Sequence, residues 1–190
     1  NANDGDDPSV VAIAFPDRGP ENGMFVGVSG AGVWHASDTG NGLTFDRFDR
    51  RSQGLDTNLY GLWIHPERSD RLFASTASGL FRSQDSGRTW IQSIAGLDRS
   101  YACDGVVLPG NPDVLLLSCA RRNDYQEGAL FRSIDDGLSW VRVSFGTQHE
   151  WEHAPLITRL WDSSDTVFVF AGGKLWASHD SAVTWVMLVD

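Results

Sequence analysis

The densest collection of chemically capable side chains lies between residues 121 and 153. Arg121, Arg122, Asp124 and Tyr125 share one polar stretch, and His149, Glu150, Trp151 and His153 share the next. The second stretch, His149-Glu150-Trp151-Glu152-His153, satisfies the pattern H-E-x-x-H. That spacing binds zinc when a helix carries both imidazoles to one face with the glutamate beside the metal. Here Pro155 follows closely and disfavours helical backbone just before it. No metal site and no cofactor are therefore expected. Asp4, Asp6, Asp7, Asp104, Asp124, Glu150 and Glu152 could serve as acids or bases by type, but no spacing singles out a pair. The chain has neither a G-x-S-x-G elbow nor a phosphate-cradling loop. What these residues do suit is recognition, because Trp, Tyr and Arg dominate binding hot spots. Arg121, Arg122, Asp124, Tyr125, His149, Glu150, Trp151 and His153 are the expected binding residues, with a protein or carbohydrate as partner.

Two cysteines add a second kind of chemistry. Cys103 and Cys119 flank a turn, Pro109-Gly110-Asn111-Pro112-Asp113. If Pro109 and Asp113 sit symmetrically on that turn, the two cysteines fall directly opposite each other in a hairpin. Their Cα atoms would then be about 4.5–5.5 Å apart, which suits a cross-strand disulfide. A disulfide implies an oxidising location, extracellular or periplasmic.

The elements that must position these groups come from an internal repeat. Residues 32–45 (GVWHASDTGNGLTF), 79–90 (GLFRSQDSGRTW), 129–140 (ALFRSIDDGLSW) and 174–185 (KLWASHDSAVTW) share one frame. Its aspartates, Asp38, Asp85, Asp135 and Asp180, recur at intervals of 47, 50 and 45 residues. A period near 45 built from short strands belongs to β-propellers. In the second unit the strands read as Leu59–Ile64, Leu72–Thr76, Leu80–Ser83 and Thr89–Ile94, separated by turn residues. The predicted fold is all-β: a β-propeller built from four four-stranded antiparallel blades, at about 9–49, 57–95, 100–145 and 155–190.

The repeated aspartate has a physical role. A hairpin turn leaves backbone N–H groups unpaired, and a carboxylate at its start can accept them while glycine supplies positive φ. The closing aromatic packs its ring against neighbouring sheets. Asp38, Asp85, Gly87, Trp90, Asp135, Gly137, Trp140, Asp180 and Trp185 are accordingly structural. The first copy carries an insertion, placed at Asn41-Gly42, and the fourth has Ala182 in place of glycine. Both turns are expected to be distorted.

The motif Ser83-Gln84-Asp85-Ser86-Gly87-Arg88-Thr89-Trp90 resembles the Asp box, or bacterial neuraminidase repeat. That repeat occurs in sialidases, xyloglucanase-type glycoside hydrolases, sortilin-type receptors and photosystem II assembly factors. The resemblance implies a propeller, and it implies either enzyme or scaffold. Sialidases of this kind carry an R-I-P segment, an arginine triad and a Tyr–Glu pair. This chain has no R-I-P, and its three tyrosines, Tyr60, Tyr101 and Tyr125, lack the matching glutamate. Rings of the family usually hold more than four blades, so these units imply part of a larger ring or a self-associating half-ring.

In a four-stranded meander, the loops between second and third strands share a face with the blade connections. That face holds residues 121–127 and 146–153, together with Arg50, Arg51, Asp56, Arg99 and Tyr101. The formal net charge of −10 argues against nucleic acid, and no apolar run is long enough to insert into a membrane. The reading that results is a non-catalytic Asp-box propeller that binds a protein or glycan through its loop-rich face. The alternative is a fragment of a xyloglucanase-type or sialidase-like glycoside hydrolase.

Overall fold

A computed structural model describes residues 9–16, 23–38, 45–98, 101–110, 112–120, 128–145, 155–159 and 165–189. Its sixteen strands form four antiparallel sheets of four, each a simple meander in chain order. Sheet I holds β1 (Val10–Ala14), β2 (Met24–Val28), β3 (Gly32–Asp38) and β4 (Phe45–Arg50). Sheet II holds β5 (Leu59–Ile64), β6 (Leu72–Thr76), β7 (Gly79–Ser83) and β8 (Ile91–Gln92). Sheet III holds β9 (Tyr101–Leu108), β10 (Val114–Ala120), β11 (Ala129–Ser133) and β12 (Val141–Arg142). Sheet IV holds β13 (Leu156–Arg159), β14 (Val167–Ala171), β15 (Lys174–Ser178) and β16 (Val186–Val189). No helix occurs among the described residues.

The chain divides into two compact units, residues 1–76 with 81–91 and residues 77–80 with 92–190. The first unit's core gathers Phe25, Val33, Leu59, Leu62, Leu72 and Phe81 around Trp90. The second unit's core gathers Leu108, Leu116 and Leu130 of sheet III against Ile157, Val169 and Trp176 of sheet IV. Each second strand reports how its sheet is covered. β10 is buried at every residue, whereas β14 alternates between buried and accessible positions. Such alternation marks a strand covered on one face only.

The fourth strand of sheet II is shorter than its sequence suggests, two residues rather than six. The cause is local. Thr89 N–H is taken by the Asp85 carboxylate, and Trp90 N–H donates to the Gln53 carbonyl at 2.9 Å. Both donors are spent before the ladder can use them. The approach of Trp90 to Gln53 also explains Gly54, whose φ is +83° and whose added Cβ would stand 2.6 Å from the Trp90 carbonyl oxygen. The turn after β5 is closed by a buried histidine. His65 Nδ1 accepts the Glu67 and Arg68 amides at 3.1 and 3.2 Å.

The cysteine register is corrected by one residue. Val114 through Ser118 pair with Leu108 through Asp104 as the symmetric turn requires, but Cys119 then faces Ala102. A β-bulge at Cys103 takes it out of opposition. Asp104 Oδ1 accepts the Gly105 amide at 2.7 Å, a local bond that competes with the ladder at this point. Bulges also interrupt β1 at Val11 and β5 at Tyr60, whereas β13 pairs with β14 without a break. Cys119 is buried and faces Ala102, so what the register corrects is the direct opposition of Cys103 and Cys119. The side chain of Cys103 lies outside the described residues.

Candidate functional site

The eight expected binding residues, Arg121, Arg122, Asp124, Tyr125, His149, Glu150, Trp151 and His153, lie outside the described residues. So does Arg99. Of the remaining residues assigned to that face, Tyr101 is buried in β9 rather than projecting. Arg51 lies 3.7 Å from Asp49, and its carbonyl accepts Trp90 Nε1 at 2.8 Å. Asp56 Oδ1 accepts the Asn58 amide. These groups serve the backbone around them.

The aspartate turns show how the repeat presents its surface. In the second turn Asp85 Oδ1 accepts the Thr89 amide at 2.9 Å, and Oδ2 accepts the Thr89 hydroxyl at 2.6 Å. Ser83 Oγ donates to Asp85 Oδ1 and accepts the Gly87 amide. The third turn repeats this with Ser133, Asp135, Gly137 and Ser139. The fourth repeats it with Ser178, Asp180, Ala182 and Thr184. Two consecutive residues in each turn take positive φ: Ser86 and Gly87, Asp136 and Gly137, Ser181 and Ala182. The expected distortion of the fourth turn is therefore corrected. Ala182 adopts φ 63°, and the carboxylate bonds hold the left-handed conformation that its Cβ opposes. For the first turn, the side chain of Asp38 and residues 39–44 lie outside the described residues.

The electrostatics follow from these bonds. The Thr184 hydroxyl and amide, helped by Ser178 and Val183, outweigh desolvation and hold the Asp180 carboxyl at a pKa of about 2. Burial pushes Asp85 and Asp135 up, but their hydroxyl and amide donors win and hold both below the ordinary value. Asp104 goes the other way. Burial raises its pKa, with only partial relief from the Gly105 amide. Among the described residues, no three acidic, His or Cys side chains cluster as a metal site would require.

The turns of the two units differ where they meet solvent. Gln84 and Arg88 occupy the exposed variable positions of the second turn. The third turn has Ile134 and Leu138 there, and the fourth has His179 and Val183. Beside these apolar tips the second unit contains a cleft of about 360 Å³, within the roughly 300–1,000 Å³ range of ligand pockets. It is lined on one side by Ile134, Val141 and Val143 and on the other by Ala182 and Val183, with Arg132 and Arg142 as its charged residues. Val141, Val183 and Ile134 are 71%, 65% and 52% exposed.

Both arginines have partners within the chain. Arg132 Nε donates to the Ser181 carbonyl at 3.0 Å, and Arg142 pairs with Asp98 at 3.3 Å. Just beyond the cleft, Phe145 packs its ring against Trp176 and Trp185, with centroids 5.0 and 4.8 Å away. That contact fixes the segment leaving β12 against sheet IV. The described lining offers apolar contact and cationic hydrogen bonding. Sequence reasoning passed over it because the loops drew attention. Its signal was the apolar residue at the variable turn positions, Ile134, Leu138 and Val183.

No family model matches this chain, and no curated protein matches it. Solved structures do. An ancestral GH74 enzyme superposes with a TM-score of 0.72 at 15% identity, over 93% of this chain and 23% of that one. The GH74 xyloglucanase from Xanthomonas campestris gives 0.63 at 15%, over 87% and 28%. YCF48 from Cyanidioschyzon merolae gives 0.59 at 12%, over 96% and 56%. All three are β-propeller proteins, and at such identities the likeness establishes the fold: this chain is built of propeller blades. It spans about a quarter of the two GH74 proteins and just over half of YCF48.

Proposed function

We propose that this chain is a non-catalytic Asp-box propeller module that binds a protein or glycan partner. The observation that carries the reading is the open cleft of the second unit. Three aliphatic side chains more than half exposed surround it, and Arg132 and Arg142 are among its lining residues. Exposed apolar side chains gathered around a cleft, rather than scattered singly, favour an interaction site. The bonding of Asp85, Asp135 and Asp180 supports the Asp-box assignment, since each carboxylate closes its turn in the same way. The polar stretches 121–125 and 149–153 remain a proposed second contact.

Labelled chain applied to peptide and glycan arrays tests the reading. Saturable capture by a defined set of peptides or glycans is expected. Retention no greater than that of heat-denatured chain would sink it. The alternative, a piece of a glycoside hydrolase, predicts reducing-sugar release from xyloglucan, and the proposed module releases none.

A further inference from the structure

The geometry points to the cleft of the second unit as a docking site for an extended peptide that carries an apolar side chain and, two residues on, a carboxylate. This inference rests on the binding reading above and names its partner.

The lining decides between ligand classes. Sugars stack on flat aromatic faces, and single-stranded nucleic acids need both stacking platforms and a basic field. The cleft offers aliphatic groups, Ile134, Val141, Val143, Ala182 and Val183, in a chain of net charge −10. Aliphatic walls suit a Leu, Ile, Val or Met side chain. The charged lining residues, Arg132 and Arg142, are cationic within an acidic chain. A guanidinium matches a carboxylate in planar, paired hydrogen bonds, and few other peptide groups use it as well.

Arg132 is prepared for that role. The Arg132 side chain is fixed through Nε by Ser181, so little rotamer freedom is lost on binding. Arg142 alternates with Val141 and Val143 along the strand and pairs with Asp98 outside the cleft lining, so Arg132 is the cation that meets the carboxylate.

Position argues for an extended occupant. β12 is the edge of sheet III, and the cleft runs along Val141, Arg142, Val143 and Ser144. An edge strand presents backbone donors and acceptors to an added strand, which is a common mode of peptide capture. In an extended peptide, side chains two residues apart share a face about 6.6–6.8 Å apart. One can enter the aliphatic slot while the next reaches an arginine.

Fluorescence anisotropy with three labelled ten-residue peptides tests the proposal, using leucine alternating with glutamate, glutamine or lysine. The glutamate peptide is expected to bind about tenfold or more tightly than the glutamine peptide, and the lysine peptide not at all. Val183→Asp is expected to weaken the glutamate peptide at least about tenfold, by placing a carboxylate against both the apolar anchor and the ligand's charge. Arg132→Gln is expected to shrink the preference for glutamate over glutamine, with its melting curve checking that the fold is kept. Val183 is largely solvent-exposed, so its variant should melt normally. Should it not, Val141→Asp substitutes for it. Equal binding of the glutamate and glutamine peptides, or unchanged binding by the aspartate variant, overturns the assignment. If the arrays capture the chain and the aspartate variant is captured equally, the cleft assignment falls while the binding reading stands. If wild type is captured by nothing, both fall.

Discussion

Replacing Gly54 with alanine should destabilise the first unit far more than replacing Gly30, although both glycines have nearly the same φ. Gly54 sits at +83° and Gly30 at +79°. An L-residue in that region costs about 1–2 kcal/mol. Alanine's more restricted unfolded chain returns about 0.4–1 kcal/mol, so Gly30→Ala should cost about 0–1.6 kcal/mol. Nothing stands within 4 Å of its added Cβ. At Gly54 the Cβ meets the Trp90 carbonyl oxygen at 2.6 Å, where ordinary carbon–oxygen contacts begin near about 3.3 Å. Relieving this requires a backbone shift of about 0.7 Å. The shift strains two bonds of Trp90, its N–H to the Gln53 carbonyl and its Nε1 to the Arg51 carbonyl. At about 1 kcal/mol each, the total for Gly54→Ala becomes about 2–4 kcal/mol. Urea unfolding followed by tryptophan fluorescence reads both variants against wild type. If they agree within about 0.5 kcal/mol, the close approach of Trp90 to Gly54 is not what the glycine is for.

Three further outcomes follow from the turns and the thiol. Asp180 titrates at about 2 when folded and near 3.9 when unfolded. Its contribution to stability is therefore present above pH 4 and lost as pH falls toward 2. Thr184→Val, measured by acid unfolding, should flatten that dependence. Ser133→Ala leaves the buried Gly137 amide without its hydroxyl acceptor and should cost about 1–3 kcal/mol by urea unfolding. Cys119 is buried, so iodoacetamide should label it only after unfolding, and whether the unfolded chain must first be reduced, read by mass spectrometry, tests the proposed Cys103–Cys119 disulfide.

The fold was legible because the repeat is periodic and its turn chemistry explicit. Strands β5 and β6 fall where alternating and continuous apolar runs put them, Leu59–Ile64 and Leu72–Thr76. Departures arose where a side chain or a distant backbone group competes with the ladder. Asp85 and Gln53 take the donors that would lengthen β8, and Asp104 takes the amide beside the Cys103 bulge. Ala182 was misjudged because its propensity is a weak preference, while the Ser178 and Asp180 bonds around it are specific. The cleft was harder to see. Its walls come from β12 and from a turn some forty residues later in sequence, and only the fold brings Val141 beside Val183.

Hydrogen exchange of the chain with and without a peptide captured from the array tests the central claim most directly. Residues 132–144 and 181–184 should gain protection on binding, because they form the two walls of the cleft. Protection confined to residues 121–127 and 146–153, with the cleft unchanged, would contradict the account and return the binding site to the loops.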